Sequence, residues 1–460
     1  MNAGARCPAP APIGRSPEID ITPAGRSWAD LIRRRRALHG LCAATTRFRE
    51  QLGLPTDSPI IATGHQPTMW HAGILAKYEA ADIAARQVGG RVLWLVADQD
   101  AVDPFKLRLP TLDAAGSLTT STLRLGPTPP VGVAASMLPP STTDPALNRT
   151  IALDSARLGA ERITRAYRAH CDAPNAAVQS ALATADLLDD LGLEGQLLYA
   201  TKLASTDLFA SLVGKMREDP DRFVRTYNAA VARRPNAGVS TLEISEANHR
   251  HELPLWRITP GAPRRRVFEE DLDSVPTQEL APRALLMTAL LRLAGCDLFI
   301  HGSGGALYDQ VTEDWINNWL EADLAPATLT TATLRLALAT SAPGEQDVER
   351  AVWLARRARH DPSILGLHEQ ASAKRQYVKQ IEAMRESGDD PAPIFREMQR
   401  FLRDYRQEHV DRLCALEDEA RELARRAGER AIANDRTWAF ALHDREALSG
   451  LRSAIENEFV

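Results

Sequence analysis

The chain is poor in the features that mark several protein classes. Its five cysteines, Cys7, Cys42, Cys171, Cys296 and Cys414, are scattered without a CxxC pair. Neither a disulfide framework nor a cysteine zinc site is indicated, and a reducing cytoplasm is the expected home. No apolar run approaches the length of a transmembrane helix, so no membrane partner is expected. Residues 1–26 are rich in Pro, Ala and Gly but lack the hydrophobic centre of a signal peptide, and they read as a disordered leader. An excess of positive charge is missing too. The formal net charge is −5, which gives no electrostatic case for nucleic acid or an acidic membrane surface. What is present, 44% apolar and 25% charged residues over 460 positions, is ordinary for a soluble globular protein and too long for one core.

The clearest pattern lies between residues 60 and 103. Ile60, Ile61 and Ala62 form a short apolar strand, and Gly64 and Pro67 break it. A helix is expected over about 72–88, ended by Gly89 and Gly90, and residues 92–97 are a continuous apolar run of the kind found in central parallel strands. In such a βαβ unit ligands bind at the carboxyl ends of the strands. Those ends carry Gly64, His65, Gln66 and His71 on one loop, and Asp98, Gln99, Asp100 and Asp103 on the other. A second core strand is expected over 297–300. It is followed by His301, Gly302, Ser303, Gly304 and Gly305, then Tyr308 on a helix. If both segments belong to one parallel sheet, His65, Asp98, Asp100 and Ser303 line a single cleft.

The expected fold is α/β. A Rossmann-like parallel-sheet core over 27–104 and 283–342 is interrupted by a largely helical connecting insertion over 105–282. Within the insertion, 105–112 and 118–125 alternate like strands. Ser27 reads as the cap of one helix running to about residue 51, with Arg33 to Arg36 as its solvated face. Over 343–430, apolar residues recur at alternating three- and four-residue steps. One run is Ile364, Leu367, Ala371, Val378 and Ile381; the other spans Phe395 to Leu423 and includes Leu402, Tyr405 and Leu413. The breaker at 386–393 between them indicates a C-terminal antiparallel coiled-coil hairpin. The last stretch, 431–460, is expected to pack on the core.

These motifs resemble the bacillithiol biosynthesis cysteine-adding enzyme family. That family has a Gly-Gln-Gln-Pro-Gly loop after its first strand, a Trp-containing strand ending in Asp-His-Asp, and a later Gly-Gly-Pro-Gly-Glu loop followed by Tyr. The counterparts here are Gly64-His-Gln-Pro-Thr68, Trp94 to Asp100, and His301 to Tyr308. The resemblance covers most of residues 55–430. It implies a core similar to class I aminoacyl-tRNA synthetases, a homodimer through the coiled coil, and a ligase joining cysteine or a similar amino acid to a small amine or amino-sugar acceptor. ATP or ADP and Mg²⁺ are the candidate cofactors. The pattern departs from the family at His65 and Thr68, at Gln99 and at Gly305. An imidazole has moved from one facing loop to the other, which suggests related chemistry on a different substrate.

His65, Asp98 and Asp100 are therefore the candidate catalytic residues: His65 for proton transfer or anion contact, the aspartates for holding an amine or a metal. Gly64, Gln66, His71, Gln99, Asp103, Gly302, Ser303, Gly304 and Tyr308 are the candidate substrate or nucleotide contacts. No resident metal site is expected. Lys77 reads as a surface lysine, although it could reach an anion. His249 and His251 form a His-x-His pair without a third zinc ligand and read as a polar loop. Two other functional readings stand beside the ligase. One is a nucleotide-binding or scaffold protein of the same fold. The other is a serine hydrolase using Ser303, although His301 stands where a nucleophile elbow needs Gly.

Overall fold

In the computed structural model of the protein the described residues are 16–39, 42–147, 150–245, 250–338 and 344–460. They fall into two compact units. The larger draws on residues up to 113, on 120–336 and on 436–460; the smaller draws on 114–119 and 337–435.

The larger unit is mixed α/β. Strand β1 (Glu18–Thr22) precedes helices α1 (Trp28–His39) and α2 (Ala43–Gln51), and the βαβ unit follows as β2 (Ile60–His65), α3 (Ala72–Val88) and β3 (Arg91–Val96). Strands β4 (Lys106–Leu112) and β5 (Leu118–Arg124) and helices α4 (Asp154–Ala169) and α5 (Ala176–Asp189) lead to β6 (Gln196–Tyr199). Helices α6 (Asp207–Glu218) and α7 (Pro220–Arg233) come next. A four-stranded antiparallel sheet of β7 (Ile244–Ser245), β8 (Arg250–Arg257), β9 (Arg265–Phe268) and β10 (Leu280–Pro282) follows them. Helix α8 (Ala284–Leu290), β11 (Leu298–His301), α9 (Ser303–Leu320) and β12 (Ala327–Thr333) return the chain to the core.

The core sheet has the order β1-β12-β11-β2-β3-β6. β12, β11, β2, β3 and β6 run parallel, and β1 joins the edge antiparallel to β12. β2 and β11, some 230 residues apart in sequence, are direct neighbours, so the two core segments do form one parallel sheet. Ile60, Ile61, Ala62, Leu298, Phe299 and Ile300 are all buried, as strands covered on both faces require. Asp297 fixes this pairing. Its amide donates to the Ile60 carbonyl at 2.7 Å, and its carboxylate accepts from the Ile60 amide at 2.8 Å. The buried guanidinium of Arg49, 3.0 Å away, and Arg36, at 3.4 Å, supply the countercharge.

Several expectations change. Residues 1–15 of the expected leader lie outside the described residues, but Glu18–Thr22 is the edge strand β1. Ser27 does not cap a helix through residue 51; its hydroxyl donates to the Ala24 carbonyl, and α1 and α2 are separate helices. The arginine run is only partly solvated. Arg35 donates to the Asp323 carbonyl at 3.1 Å, and Arg36 to the Asp57 carbonyl at 3.2 Å. The insertion is helical over α4 to α7, but it also supplies β6 to the core sheet. A four-residue strand carries too few side chains for its period to be read.

The smaller unit is not a two-helix hairpin. It contains α10 (Glu345–Ala358), α11 (His368–Ser387), α12 (Ala392–Glu408) and α13 (Val410–Asn434). The long second run is broken at His409, and α10 packs along α13 while α11 packs on α12. The seam residues Ile381, Met398, Leu402, Tyr405 and Leu413 form one cluster with Ala358 and Leu365. Tyr405, 2% exposed, donates to the Ala358 carbonyl at 2.6 Å, and the Tyr377 and Phe401 rings lie 5.8 Å apart against the same cluster. These aromatics pack against the interior of the unit. Heptad spacing is the same whether a helix pairs with one neighbour or with a bundle, so the sequence could not separate the two.

Helix α14 (Arg445–Asn457) closes the larger unit by packing on α3. Arg452 joins it to Glu79 and, at 2.9 Å, to Asp82. Glu79 is 2% exposed; burial pushes its carboxyl up to about 7, with Arg452 opposing. Replacing Arg452 by Leu strips a buried carboxylate of its cation, so a loss of about 3 kcal/mol is expected at pH 8. Because the folded pKa lies above the unfolded one, Glu79 is already protonated in the native state at pH 5, and the loss there should be smaller. Urea unfolding of both chains at the two pH values measures this; an equal loss at both would remove Glu79 from the account.

Candidate functional site

The carboxyl ends of β2 and β11 open onto a cavity of about 380 Å³. Its lining includes Gly64, His65, Gln66, His71, Lys77 and Asp100 from the first core segment, and His301 to Gly305 and Tyr308 from the second. The sequence-predicted loops thus converge in one place, and His65, Asp100 and Ser303 share the cavity. Two glycines permit the approach. A β-carbon on Gly64 would lie 2.5 Å from the Leu95 carbonyl oxygen, and one on Gly305 would lie 2.6 Å from His301 Nδ1.

Asp98 departs from the expectation. Its amide bonds the Val96 carbonyl in a tight turn just past β3, and its buried carboxylate accepts from Thr201 N at 2.9 Å and Thr201 Oγ1 at 2.6 Å. It faces a separate cavity, beside Tyr199 and Ser136 at the end of β6. Burial pushes its carboxyl up to about 6, and the two Thr201 bonds hold it from rising further. Gln99 and Asp103 are not on the lining of the cavity either. Gln99 is buried against Met287 Sδ at 3.4 Å. Asp103 accepts from the Phe105 amide at 3.1 Å and pairs with Arg124. Of the acidic group only Asp100 reaches the site, and it is spoken for by Gln66 Nε2 at 3.2 Å and Arg264 at 2.8 Å. Each of its two oxygens thus accepts one hydrogen bond. Among the described residues no three His, Cys, Asp or Glu side chains gather as a metal site. His249 lies outside the described residues, and the ring nitrogens of His251 sit 3.6 Å from Asp221 and Glu269.

His65 is half-buried at the end of β2. Its Nδ1–H donates to the Gln66 carbonyl at 3.3 Å, which also accepts from Trp70 Nε1 at 3.1 Å. That assignment leaves Nε2 unprotonated. Burial, and then the nearby Lys77, pull its pKa down to about 3, so His65 is neutral at physiological pH and acts as a hydrogen-bond acceptor. His71 is the cap of α3, accepting from the Gly73 amide at 3.1 Å. Gly302 to Gly305 are not a free loop. Helix α9 starts at Ser303 with Gly302 as its cap, and its first intrahelical bond is Ala306 N to the Gly302 carbonyl at 3.1 Å. The Ser303, Gly304 and Gly305 amides precede that bond at the positive end of an 18-residue helix. Ser303 is exposed, and among the described residues no histidine hydrogen-bonds it.

Two residues carry more than the sequence reading allowed. Lys77 is no surface lysine: it is 4% exposed, lines the cavity, and donates to the Gly64 carbonyl at 2.6 Å. No carboxylate lies within ion-pair distance among the described residues, and burial brings its pKa down to about 7. The signal was there, because α3 buries twelve of its 17 residues and so leaves a lysine little face toward water. His301 is the other. It ends β11 with Nε2 3.1 Å from Asp309, which in turn holds the buried Arg292. Burial works against ionisation of Asp309, but His301 and Arg292 outweigh it and keep the carboxyl below its usual range.

The fold and the cavity define a mixed α/β protein with a parallel-sheet core and a site at the strand carboxyl ends. No protein-family model matches the chain, and no curated protein matches it. Among solved structures the chain is similar to tyrosyl-tRNA synthetase from Archaeoglobus fulgidus, complexed with L-tyrosine. The TM-score is 0.25 at 11% identity, over 65% of this chain and 63% of that one. The chain thus spans less than two thirds of that protein's length, and at such a TM-score the likeness carries no functional inference. No described helix is long and apolar enough to cross a membrane.

The buried charge makes a sign-specific prediction. Lys77→Met removes one hydrogen bond, a cost of about 1–3 kcal/mol with its acceptor left bare. It also removes a depression of more than three pKa units at roughly 1.4 kcal/mol each. The unfolded chain holds this proton up to about pH 10.5 and the native chain only up to about 7, so the penalty is fully present below pH 7 and shrinks above it. The variant should melt higher than the parent at pH 6.5, with the difference shrinking and then reversing by about pH 10, where the lost hydrogen bond outweighs what remains of the penalty. A variant that melts lower at pH 6.5 would show Lys77 to be stabilising as it stands.

Proposed function

We propose that the cavity between β2 and β11 is an active site that holds the anionic part of a small substrate, and that the protein is a ligase-like enzyme. The supporting observation is the charge balance of the pocket. Among the described residues buried Lys77 has no carboxylate partner, the start of α9 presents amides that precede its first intrahelical bond, and the one acid of the lining, Asp100, is neutralised by Arg264. A phosphate or carboxylate would supply the missing countercharge and accept from those donors. The nucleotide phosphates of ATP or ADP fit this donor set. On this reading Lys77 and the α9 amides bind the anion, and His65 Nε2 receives a proton or a hydrogen bond from the substrate. The buried His301–Asp309 pair holds the floor of the site.

The finer reading follows from the motif resemblance: an amino acid such as cysteine is joined to a small amine or amino-sugar acceptor. The loops that carry the resemblance are those that meet in the cavity, and this supports it. The departures at His65 and Gly305, both on the cavity lining, favour a different acceptor from that of the resembled family. Homodimer formation is likewise a proposal, to be read by sedimentation of the full chain beside one ending near Gly344.

Calorimetric titration with ATP, ADP and inorganic phosphate tests the anion site. Binding is expected for at least one of them, weakened about tenfold or more by Lys77→Met. His65→Ala should lower turnover of cysteine with an amino-sugar acceptor far more than it lowers the melting temperature. No binding of any of the three anions would leave the scaffold reading in place. Binding without any cysteine-containing product would remove the finer one.

A further inference from the structure

The protein is rich in basic residues and almost devoid of lysine. Of its 55 lysines and arginines only six are lysine: Lys77, Lys106, Lys202, Lys215, Lys374 and Lys379. Lys106, Lys202, Lys215 and Lys379 are exposed and Lys374 is half-buried, whereas Lys77 alone is buried. At this one interior position the chain uses the cation that can lose its proton, which arginine in effect cannot.

The surroundings of Lys77 suit a nucleophile as well as an anchor. The side chain enters the cavity from the sixth residue of α3. Its shaft runs beside the start of α9, since a β-carbon on Gly302 would sit 3.7 Å from Lys77 Cδ. Nζ spends one hydrogen on the Gly64 carbonyl at 2.6 Å. A neutral amine held in this way keeps its lone pair for the cavity. The Ser303 to Gly305 amides line the same space, and free helix-start amides are suited to an oxygen that gains negative charge. The neutral His65 imidazole, also on the lining, can carry a proton.

We propose that Lys77 is a nucleophilic amine that forms a Schiff base with a carbonyl compound bearing a phosphate or carboxylate. The Nζ lone pair attacks the carbonyl carbon, a C–N bond forms, and the C=O π pair moves to oxygen. That oxygen is protonated, giving a carbinolamine after the nitrogen sheds a proton. Protonation of the hydroxyl then releases water as the nitrogen lone pair forms C=N⁺. The sum is amine plus carbonyl plus one proton, giving iminium plus water, with no oxidant or reductant. Burial of Lys77 without a carboxylate partner among the described residues supports the step, because the pKa of about 7 leaves much of the amine unprotonated near neutrality. The anionic preference rests on the anion-binding reading above; the reactivity of the amine does not.

Pyridoxal 5′-phosphate, an anionic aldehyde, and pyridoxal, its uncharged counterpart, are the probes. The full chain is treated with each at pH 7.5, reduced with borohydride and mapped by peptide mass spectrometry, with the urea-unfolded chain as control. The folded chain should carry the phosphate-bearing adduct at Lys77 ahead of the other five lysines, and the unfolded chain should show no such preference. Inorganic phosphate should slow labelling, and Lys77→Arg should abolish it while the melting curve shows a folded protein. Labelling of Lys106, Lys202, Lys215 and Lys379 with Lys77 untouched would overturn the proposal, even if phosphate still binds by calorimetry. Equal labelling of Lys77 by both aldehydes would uphold the nucleophile and overturn the anion-binding reading instead.

Discussion

The site exists because β2 and β11 are neighbours, and Asp297 is what makes them so. Two strands from distant parts of the chain must overcome a large loop-closure entropy before any contact rewards them. Asp297 answers with main-chain and side-chain bonds to Ile60 at once, while Arg49 and Arg36 neutralise it. A buried carboxylate without those partners would be costly, and with them it specifies register. Because the register is set at the amino ends, the carboxyl ends emerge side by side. His65 and His301 then face a common space, although neither is near the other in sequence.

That space holds an electrostatic imbalance. Several other buried charges are matched: Arg292 with Asp309, Glu252 with Arg283, Glu79 with Arg452. Asp98 has only the hydroxyl and amide of Thr201, and Lys77 is the buried cation that, among the described residues, bonds a neutral carbonyl and no carboxylate. Its neighbours add to the imbalance, since the α9 amides carry partial positive charge and His65 is held neutral by burial and by the lysine itself. An unpaired buried cation lowers stability, and a fold keeps such a feature where a ligand will balance it or a reaction needs the neutral form. The anion reading and the nucleophile reading are two uses of one physical fact.

How much of this was legible in the sequence depends on the length of the signal. The βαβ unit at 60–97 and the strand before His301 could be read because their apolar runs are continuous and bounded by glycine. The convergence of their loops follows from the carboxyl-end rule. β6 could not be read, because four residues show no period. The helical segment is legible as helical, and α11 and α12 on either side of the 386–393 breaker do pack together, but the pattern does not announce α10 as a partner for α13 or the break at His409, which carries no proline or glycine. Lys77 was misjudged for a different reason. A lysine is taken as surface by default, and only the apolar composition all around α3 contradicts that default.

Asp98 shows where reasoning by motif runs out. Its residue type and its place after a core strand are those of a site residue, and so are those of Asp100. The backbone separates them. Asp98 N turns back onto the Val96 carbonyl and Asp100 N onto the Ala97 carbonyl, so the chain reverses within a few residues and sends the two carboxylates to different sides. One ties β3 to the end of β6 through Thr201; the other joins Gln66 across to the β2 loop. Each braces a neighbouring strand end against β3, and this is itself a reason for acids to cluster there. A run of carboxylates at the end of a parallel strand can therefore hold a pocket's walls together while other groups face the space, here an imidazole, a helix start and a lysine.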